Sequence, residues 1–162
     1  MTANDVNLRR YYQLHARIYD LTRWSFLFGR EVLLRQVARL QAPRRILEIG
    51  CGTGRNMESM CRLFPDAEIT GIDLSSAMLD QAWTRLRPWT GRVRLINEAY
   101  HGLAGGTQAP FDLIVCSYAL SMFNPGWDKA MAFARNDLAD EGLLALVDFH
   151  RSSVPAFRQW MA

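Results

Sequence analysis

Arg44-Arg45-Ile46-Leu47-Glu48-Ile49-Gly50-Cys51-Gly52-Thr53-Gly54-Arg55-Asn56 is the stretch around which this 162-residue chain is organised. It opens as a short apolar run, Ile46 to Ile49, of strand length. Three glycines then alternate at positions 50, 52 and 54. A helical stripe follows at once, with Met57, Met60, Cys61 and Phe64 at i, i+3, i+4 and i+7. Strand, glycine turn and helix in that order begin a nucleotide-binding βαβ unit. The glycines let the chain turn tightly and let a ligand lie against bare backbone, while the free N–H groups of the helix start face that ligand.

A second apolar run, Ala67 to Ile72, ends in Asp73, where such units place a carboxylate that accepts from ribose hydroxyls. The glycine spacing is Gly-x-Gly-x-Gly, whereas dinucleotide oxidoreductases show Gly-x-Gly-x-x-Gly, which argues against a nicotinamide enzyme. Glu48, the three glycines, Gly71 and Asp73 together resemble the S-adenosylmethionine site of class I methyltransferases.

The rest of the chain alternates in the same way. Residues 30–41 read as a helix with Leu33, Leu34, Val37, Ala38 and Leu40 inward, ended by Pro43. Ser75 or Ser76 caps a helix that reaches Leu86, with Met78, Leu79, Ala82, Trp83 and Leu86 inward, and Pro88 stops it. Residues 92–96 form a third strand and residues 111–116 a fourth, apolar as parallel strands buried on both faces are. Pro125 and Gly126 precede a helix with Trp127, Ala130, Met131, Ala134 and Leu138 inward. Gly142 turns the chain into a fifth strand, residues 143–149, and an amphipathic piece, residues 154–161, starts a helix behind Pro155. Strands alternating with helices predict an α/β, doubly wound, mostly parallel sheet. The division falls near Pro43, with residues 1–43 an N-terminal helical arm or cap and residues 44–162 a Rossmann-like cofactor domain.

Nearly half the residues are apolar, enough for a sizeable core in one domain. No apolar run approaches the ~20 residues that span a bilayer, and the polar start, residues 1–7, has no signal-peptide core. Cys51, Cys61 and Cys116 are scattered, odd in number and without metal-ligand spacing, so they are expected to be reduced thiols of a cytoplasmic protein, with no metal. The net charge of +3 is uneven: residues 1–45 hold nine Arg against Asp5, Asp20 and Glu31, a net +6. Such an arm suits an anionic membrane or nucleic acid, or is a solvated helix face. Beside it, residues 24–28 (Trp-Ser-Phe-Leu-Phe) are either core or an aromatic element for the membrane interface. Residues 6–19 carry a packing stripe of Leu8, Tyr11, Tyr12, His15, Ile18 and Tyr19.

The chain is similar to one branch of the class I methyltransferases, the enzymes that N-methylate diacylglyceryl-homoserine to form a betaine lipid headgroup. The similarity is carried by residues 12–23, 28–30, 46–56, 117–122 (Ser-Tyr-Ala-Leu-Ser-Met), 147–150 and 157–161. Ubiquinone-type methyltransferases also look alike around Ile18-Tyr19-Asp20. The resemblance implies S-adenosylmethionine as cofactor, held by Glu48, Gly50, Cys51, Gly52, Gly54, Asn56, Asp73, Leu74, Glu98, Ala99 and Ser117. Asp73 would take the ribose hydroxyls, Leu74 would pack the adenine, and Glu98 would meet its amine. Glu48 would bond the methionine amino group directly or through water, or else brace the glycine turn. Arg55 and Asn56 would face the ligand carboxylate or solvent. The candidate catalytic residues are Tyr19, Tyr118 and His150. Tyr19 would close over the methionine end or pack in the core. Tyr118 and His150 lie at the ends of strands four and five, where ligands bind in open α/β sheets. His150 is the candidate proton acceptor for an amine substrate, or else structural.

Two features depart from the family pattern. Asn97-Glu98-Ala99 stands where Gly-Asp-Ala is usual, and the family's seven strands, in the order 3-2-1-4-5-7-6, find only five counterparts here. The fifth strand is then an apolar edge, so the expectation is that the chain is either a fragment or is covered there by a second copy as a homodimer, and that it is poorly stable as a monomer. Strand four ends in Cys116-Ser117-Tyr118 rather than the Asn/Asp-Pro-Pro-Tyr of amine-directed nucleic-acid methyltransferases, so no nucleic-acid partner is expected. The expected function is N-methylation of a lipid headgroup amine by a cytoplasmic protein in peripheral membrane contact. The alternatives are a methyltransferase for a small molecule or quinone precursor, and a cofactor-binding remnant without catalysis.

Overall fold

The computed structural model describes residues 29–103, 110–123 and 126–148. Tyr19, His150, the stripe of residues 6–19, residues 24–28 and the piece behind Pro155 lie outside the described residues. The helices are α1 (Gly29–Leu40), α2 (Arg55–Leu63), α3 (Ser76–Leu86) and α4 (Trp127–Asp137). The strands are β1 (Arg45–Ile49), β2 (Glu68–Ile72), β3 (Val93–Ile96), β4 (Phe111–Ser117) and β5 (Leu138–Val147). They form one parallel sheet in the order β3-β2-β1-β4-β5. This is the α/β doubly wound architecture expected from the alternating pattern.

The apolar residues divide by strand alternation into two cores, one on each face. On one face Ile46, Ile69, Val93, Leu113 and Val115 meet Leu34 and Val37 of α1, Met57 and Met60 of α2, and Leu79, Ala82 and Leu86 of α3. On the other, Leu47, Ile49, Ile72, Ile114 and Cys116 meet Ala130 and Ala134 of α4. Polar side chains tie the connections. The Asp112 carboxylate accepts from the backbone N–H groups of Arg44 and Arg45 at 2.8 and 2.9 Å, fixing the entry to β1 against β4. The Arg92 guanidinium donates to the carbonyls of Cys61, Phe64 and Ala67, satisfying acceptors that the end of α2 leaves open. Buried Asp137 accepts from the Tyr100 hydroxyl at 2.8 Å and from the Leu103 N–H, holding the chain that leaves β3. Ser75, rather than Ser76, caps α3 by accepting from the Met78 N–H.

Several inward placements are corrected. Ala38 and Leu40 point to solvent because α1 buries only the Leu34–Val37 stripe. Trp83 and Trp127 are about half exposed, at 51% and 53%, since alanines at 82, 130 and 134 bring α3 and α4 too close to the sheet for an indole. The fifth strand starts at Leu138, which therefore belongs to the sheet and not to the helix. Phe111 pairs with Leu138 and Leu113 with Leu143, so residues 139–142 bulge opposite Asp112. Gly142 lies inside this bulge: a Cβ there would stand 2.9 Å from the Phe111 carbonyl oxygen. β5 is an edge of the described sheet, and its Leu144 and Leu146 are partly exposed.

Gly71, in the middle of β2, is where the sheet touches the glycine turn. A Cβ there would run into Met57 Sδ and lie 2.9 Å from Cys51 Sγ. Gly71→Ala is expected to destabilise the fold by about 1–3 kcal/mol through overpacking, read as a lower urea midpoint at unchanged m-value.

Candidate functional site

The site lies at the carboxyl ends of β1, β2 and β4. The strand order reverses between β1 and β4, the switch point at which open α/β sheets bind ligands. Gly50 and Gly52 both adopt left-handed backbone, with φ of 71° and 53°, which favours glycine. The Gly50 and Cys51 N–H groups donate to the Ile72 carbonyl at 2.9 and 3.1 Å. The Gly52 N–H donates to Asp73 Oδ2 and the Ser75 N–H to Asp73 Oδ1, each at 2.8 Å. Asp73 thus pins the loop to the end of β2, and each of its oxygens keeps acceptor capacity. Among the described residues, nothing lies within 4 Å of where a Gly52 side chain would start.

Glu48 is fully buried at the end of β1. Its Oε1 accepts from Asn56 Nδ2 at 2.8 Å and the Met57 backbone N–H also favours the carboxylate, while Oε2 has no hydrogen-bond partner among the described residues. Burial pushes its pKa up to about 8, and the Asn56 bond and the attraction of Arg30 only partly offset that. Asn56 is therefore neither a solvent group nor a surface contact; it fixes one Glu48 oxygen and leaves the other free for a donor. Arg30, in the first turn of α1, is a site residue the sequence did not single out. Its charge acts on Glu48, 18 positions away in sequence, because α1 folds back over the sheet.

Leu74 is 75% exposed beside Asp73, and Glu98 and Ala99 are exposed beyond the end of β3. Asn97 joins these two edges: its Nδ2 donates to the carbonyls of Asp73 and Leu74 at 3.0 Å each. On the β4 side, the Ser117 hydroxyl is buried without a partner among the described residues. Tyr118 has φ of 54°, a conformation uncommon for a non-glycine residue and often found at ligand sites. Its side chain reaches Gly29 of α1, where an added Cβ would stand 2.7 Å from the Tyr118 hydroxyl oxygen. The turn is latched from outside by Arg85, whose Nη1 donates to Thr53 Oγ1 at 2.9 Å and whose Nε lies 3.6 Å from the Glu58 carboxylate. Glu48, Gly50, Cys51, Gly52, Gly54, Asn56, Asp73 and Leu74 thus sit along one turn and its bracing strand. Burial raises the Cys51 thiol far above its ordinary range and Cys116 to about 12, so neither is a thiolate at neutral pH.

A family profile described as a methyltransferase domain matches residues 46–142, from the first residue of the apolar run to the β5 bulge. The chain belongs to this family. It is a class I, S-adenosylmethionine-dependent methyltransferase domain. It is 33% identical over 113 residues to malonyl-[acyl-carrier protein] O-methyltransferase of Legionella pneumophila, covering 67% of this chain and 37% of that protein. It is 48% identical over 107 residues to trans-aconitate 2-methyltransferase of Rhodopseudomonas palustris, covering 66% and 39%. Among solved structures, it superposes with a TM-score of 0.61 and 26% identity on the N-methyltransferase NodS of Bradyrhizobium japonicum in complex with S-adenosylhomocysteine, covering 72% of this chain and 58% of that one. The chain spans less than two thirds of the length of each of these proteins.

The methyltransferase domain fits its cofactor by the chemistry of its donors and acceptors. The amino-acid end of S-adenosylmethionine carries an ammonium and a carboxylate, and Glu48 Oε2 is a buried acceptor lacking a donor. Gly52 offers bare backbone, and Asp73 offers a carboxylate already oriented by two N–H groups.

Two predictions follow the charges. Glu48 is mostly protonated at pH 7 in the ligand-free protein, because its pKa is raised to about 8. Its contribution to ligand-free stability is full below the ordinary carboxyl range and is lost as pH rises toward about 8. Accepting an ammonium requires the carboxylate, so S-adenosylhomocysteine binding at pH 7 is expected to release a proton. Calorimetry in buffers of different ionisation heat would show it, and Glu48→Gln should abolish it. Asp73→Ala is expected to weaken S-adenosylhomocysteine binding by about 1–3 kcal/mol; unchanged affinity in the same titration would remove Asp73 from the site.

Proposed function

We propose that this chain carries the cofactor site of an enzyme that transfers methyl groups from S-adenosylmethionine to the amine of a lipid headgroup of the diacylglyceryl-homoserine type. The observation that carries the methyl-transfer half is the buried Glu48 oxygen that no donor among the described residues reaches, on the strand that leads into the glycine turn. The acceptor half is supported by the sequence similarity at residues 12–23 and 117–122 and by the +6 charge of residues 1–45 beside an aromatic run. S-adenosylmethionine supplies a methyl group already activated by its sulfonium. The protein's work is then to hold the two partners in line and keep water out. Glu48, Asn56 and Asp73 fix the cofactor end. Arg30 supplies a positive charge beside Glu48 for the carboxylate of the methionine moiety. Tyr118 and Asp148, at the ends of β4 and β5, border the side from which an acceptor approaches. An amine must lose a proton before it attacks, and bulk solvent can accept it.

A second reading, a soluble carboxyl-bearing acceptor, is favoured by the two curated relatives named for malonyl-[acyl-carrier protein] and trans-aconitate. Labelled S-adenosylmethionine separates the two. The purified full-length protein is given mixed micelles of diacylglyceryl-homoserine, a malonyl thioester, trans-aconitate and a quinone precursor in parallel. Label is expected in the lipid, with vesicle binding that falls as salt rises. Label in an acid or quinone precursor, with no vesicle binding at low salt, would replace the lipid by that acceptor.

A further inference from the structure

A cavity of about 280 Å³ opens at the other end of the sheet, among the amino-terminal ends of β1, β2 and β3. It is lined by Arg45, Glu68, Thr70, Arg92, Arg94 and Phe111 among others. Arg45 is separated from the end of β1 by four residues of strand, ~13 Å at about 3.3 Å per residue, so the cavity is distinct from the cofactor site. Its polar lining is unusual. Faces of parallel sheets are apolar because helices cover them, and by alternation Arg45, Thr70 and Arg94 share the face of Leu47, Ile72 and Ile96. Register sets them together, with Arg45 beside Glu68 and Thr70 beside Arg94.

The donors in this cavity are available. Thr70 is 9% exposed, and its hydroxyl has no hydrogen-bond partner among the described residues. Arg94 is exposed, with no ion pair among them. The Arg45 guanidinium lies over the Phe111 ring, 5.6 Å from its centre, which orients it while leaving its N–H edge to bond. Arg92, in contrast, is committed to carbonyls in the last turn of α2 and just after it. Two guanidinium groups and the hydroxyl of a largely buried threonine, with one carboxylate beside them, suit a tetrahedral oxyanion whose remaining hydroxyl or ester group needs an acceptor.

We propose that this cavity binds a phosphoryl group, with Arg45, Arg94 and Thr70 donating to its oxygens and Glu68 accepting from a hydroxyl of the ligand. The volume is near the lower end of small-molecule sites, so the ligand is inorganic phosphate or a small phosphate monoester. The test is calorimetric titration of the full chain with inorganic phosphate, glycerol 3-phosphate and succinate. Saturable binding of a phosphate compound is expected, weakened at least about tenfold in Arg94→Gln and in Thr70→Val. S-adenosylhomocysteine affinity, which reports an intact fold, should not change in either variant. Tighter binding of glycerol 3-phosphate assigns a monoester; equal binding assigns the free ion. No saturable binding of either phosphate, equal binding of succinate, or binding unaltered in both variants would overturn the proposal.

Discussion

The end of β1 can support a site only because the backbone that leaves it is hydrogen-bonded elsewhere. A chain leaving a buried central strand must satisfy its polar groups at once, since burying them unpaired costs several kcal/mol. Here the Ile72 carbonyl takes two N–H groups, from Gly50 and Cys51, and the Asp73 carboxylate takes a third from Gly52. The turn is thereby held to β2 as well as by its own Gly54 N–H bond to the Cys51 carbonyl. Its outer side stays bare for a ligand, and left-handed glycines make that path sterically cheap. Everything else in the site is placed by reference to this contact: Asn97 orients Asp73, and Arg85 grips Thr53. Gly71 leaves room for Cys51.

The sheet and this turn were legible in the sequence because both rest on local rules. An apolar run of strand length, glycines at alternate positions and an acid after the next strand each speak within a few residues. What was not legible depends on distance across the fold. Arg30 reads as one more charge in a basic helix; only the return of α1 over the sheet brings it to Glu48. Asn56 reads as a helix-start residue open to ligand, and only three-dimensional placement shows it bonded to Glu48. Arg92 reads as a strand residue, yet its side chain serves the end of α2. The exposed Trp83 and Trp127 mislead for a related reason. Periodicity marks the face of a helix, but the small Ala82 and Ala130 set how close that face comes to the sheet, and a large side chain at the margin is squeezed outward. The start of β5 was misplaced because Gly142 carries the same letter in a turn and in a bulge.

Two buried polar atoms without a partner among the described residues, Glu48 Oε2 and Ser117 Oγ, lie on neighbouring strands, Glu48 in register with Val115 of β4. A buried acceptor without a donor is destabilising in the ligand-free fold, and proton uptake is how a carboxyl relieves that cost. A ligand bearing an ammonium relieves it differently, by supplying the donor. The raised pKa of Glu48 and its readiness to accept from a charged donor are therefore two expressions of one feature, an acid desolvated in advance.

The same feature makes α1 part of the site. Leu34 and Val37 seat the helix on the core. Gly29 brings it against Tyr118 and Val147 so closely that no side chain fits between them, and Arg30 places its charge where it favours ionised Glu48. Docking of α1 and ionisation of Glu48 stabilise each other, and linkage requires that whatever favours one favours the other. A ligand that needs Glu48 charged therefore tightens α1 against the sheet. Because α1 also abuts Tyr118, the ends of β1 and β4 share one packed element rather than two independent walls.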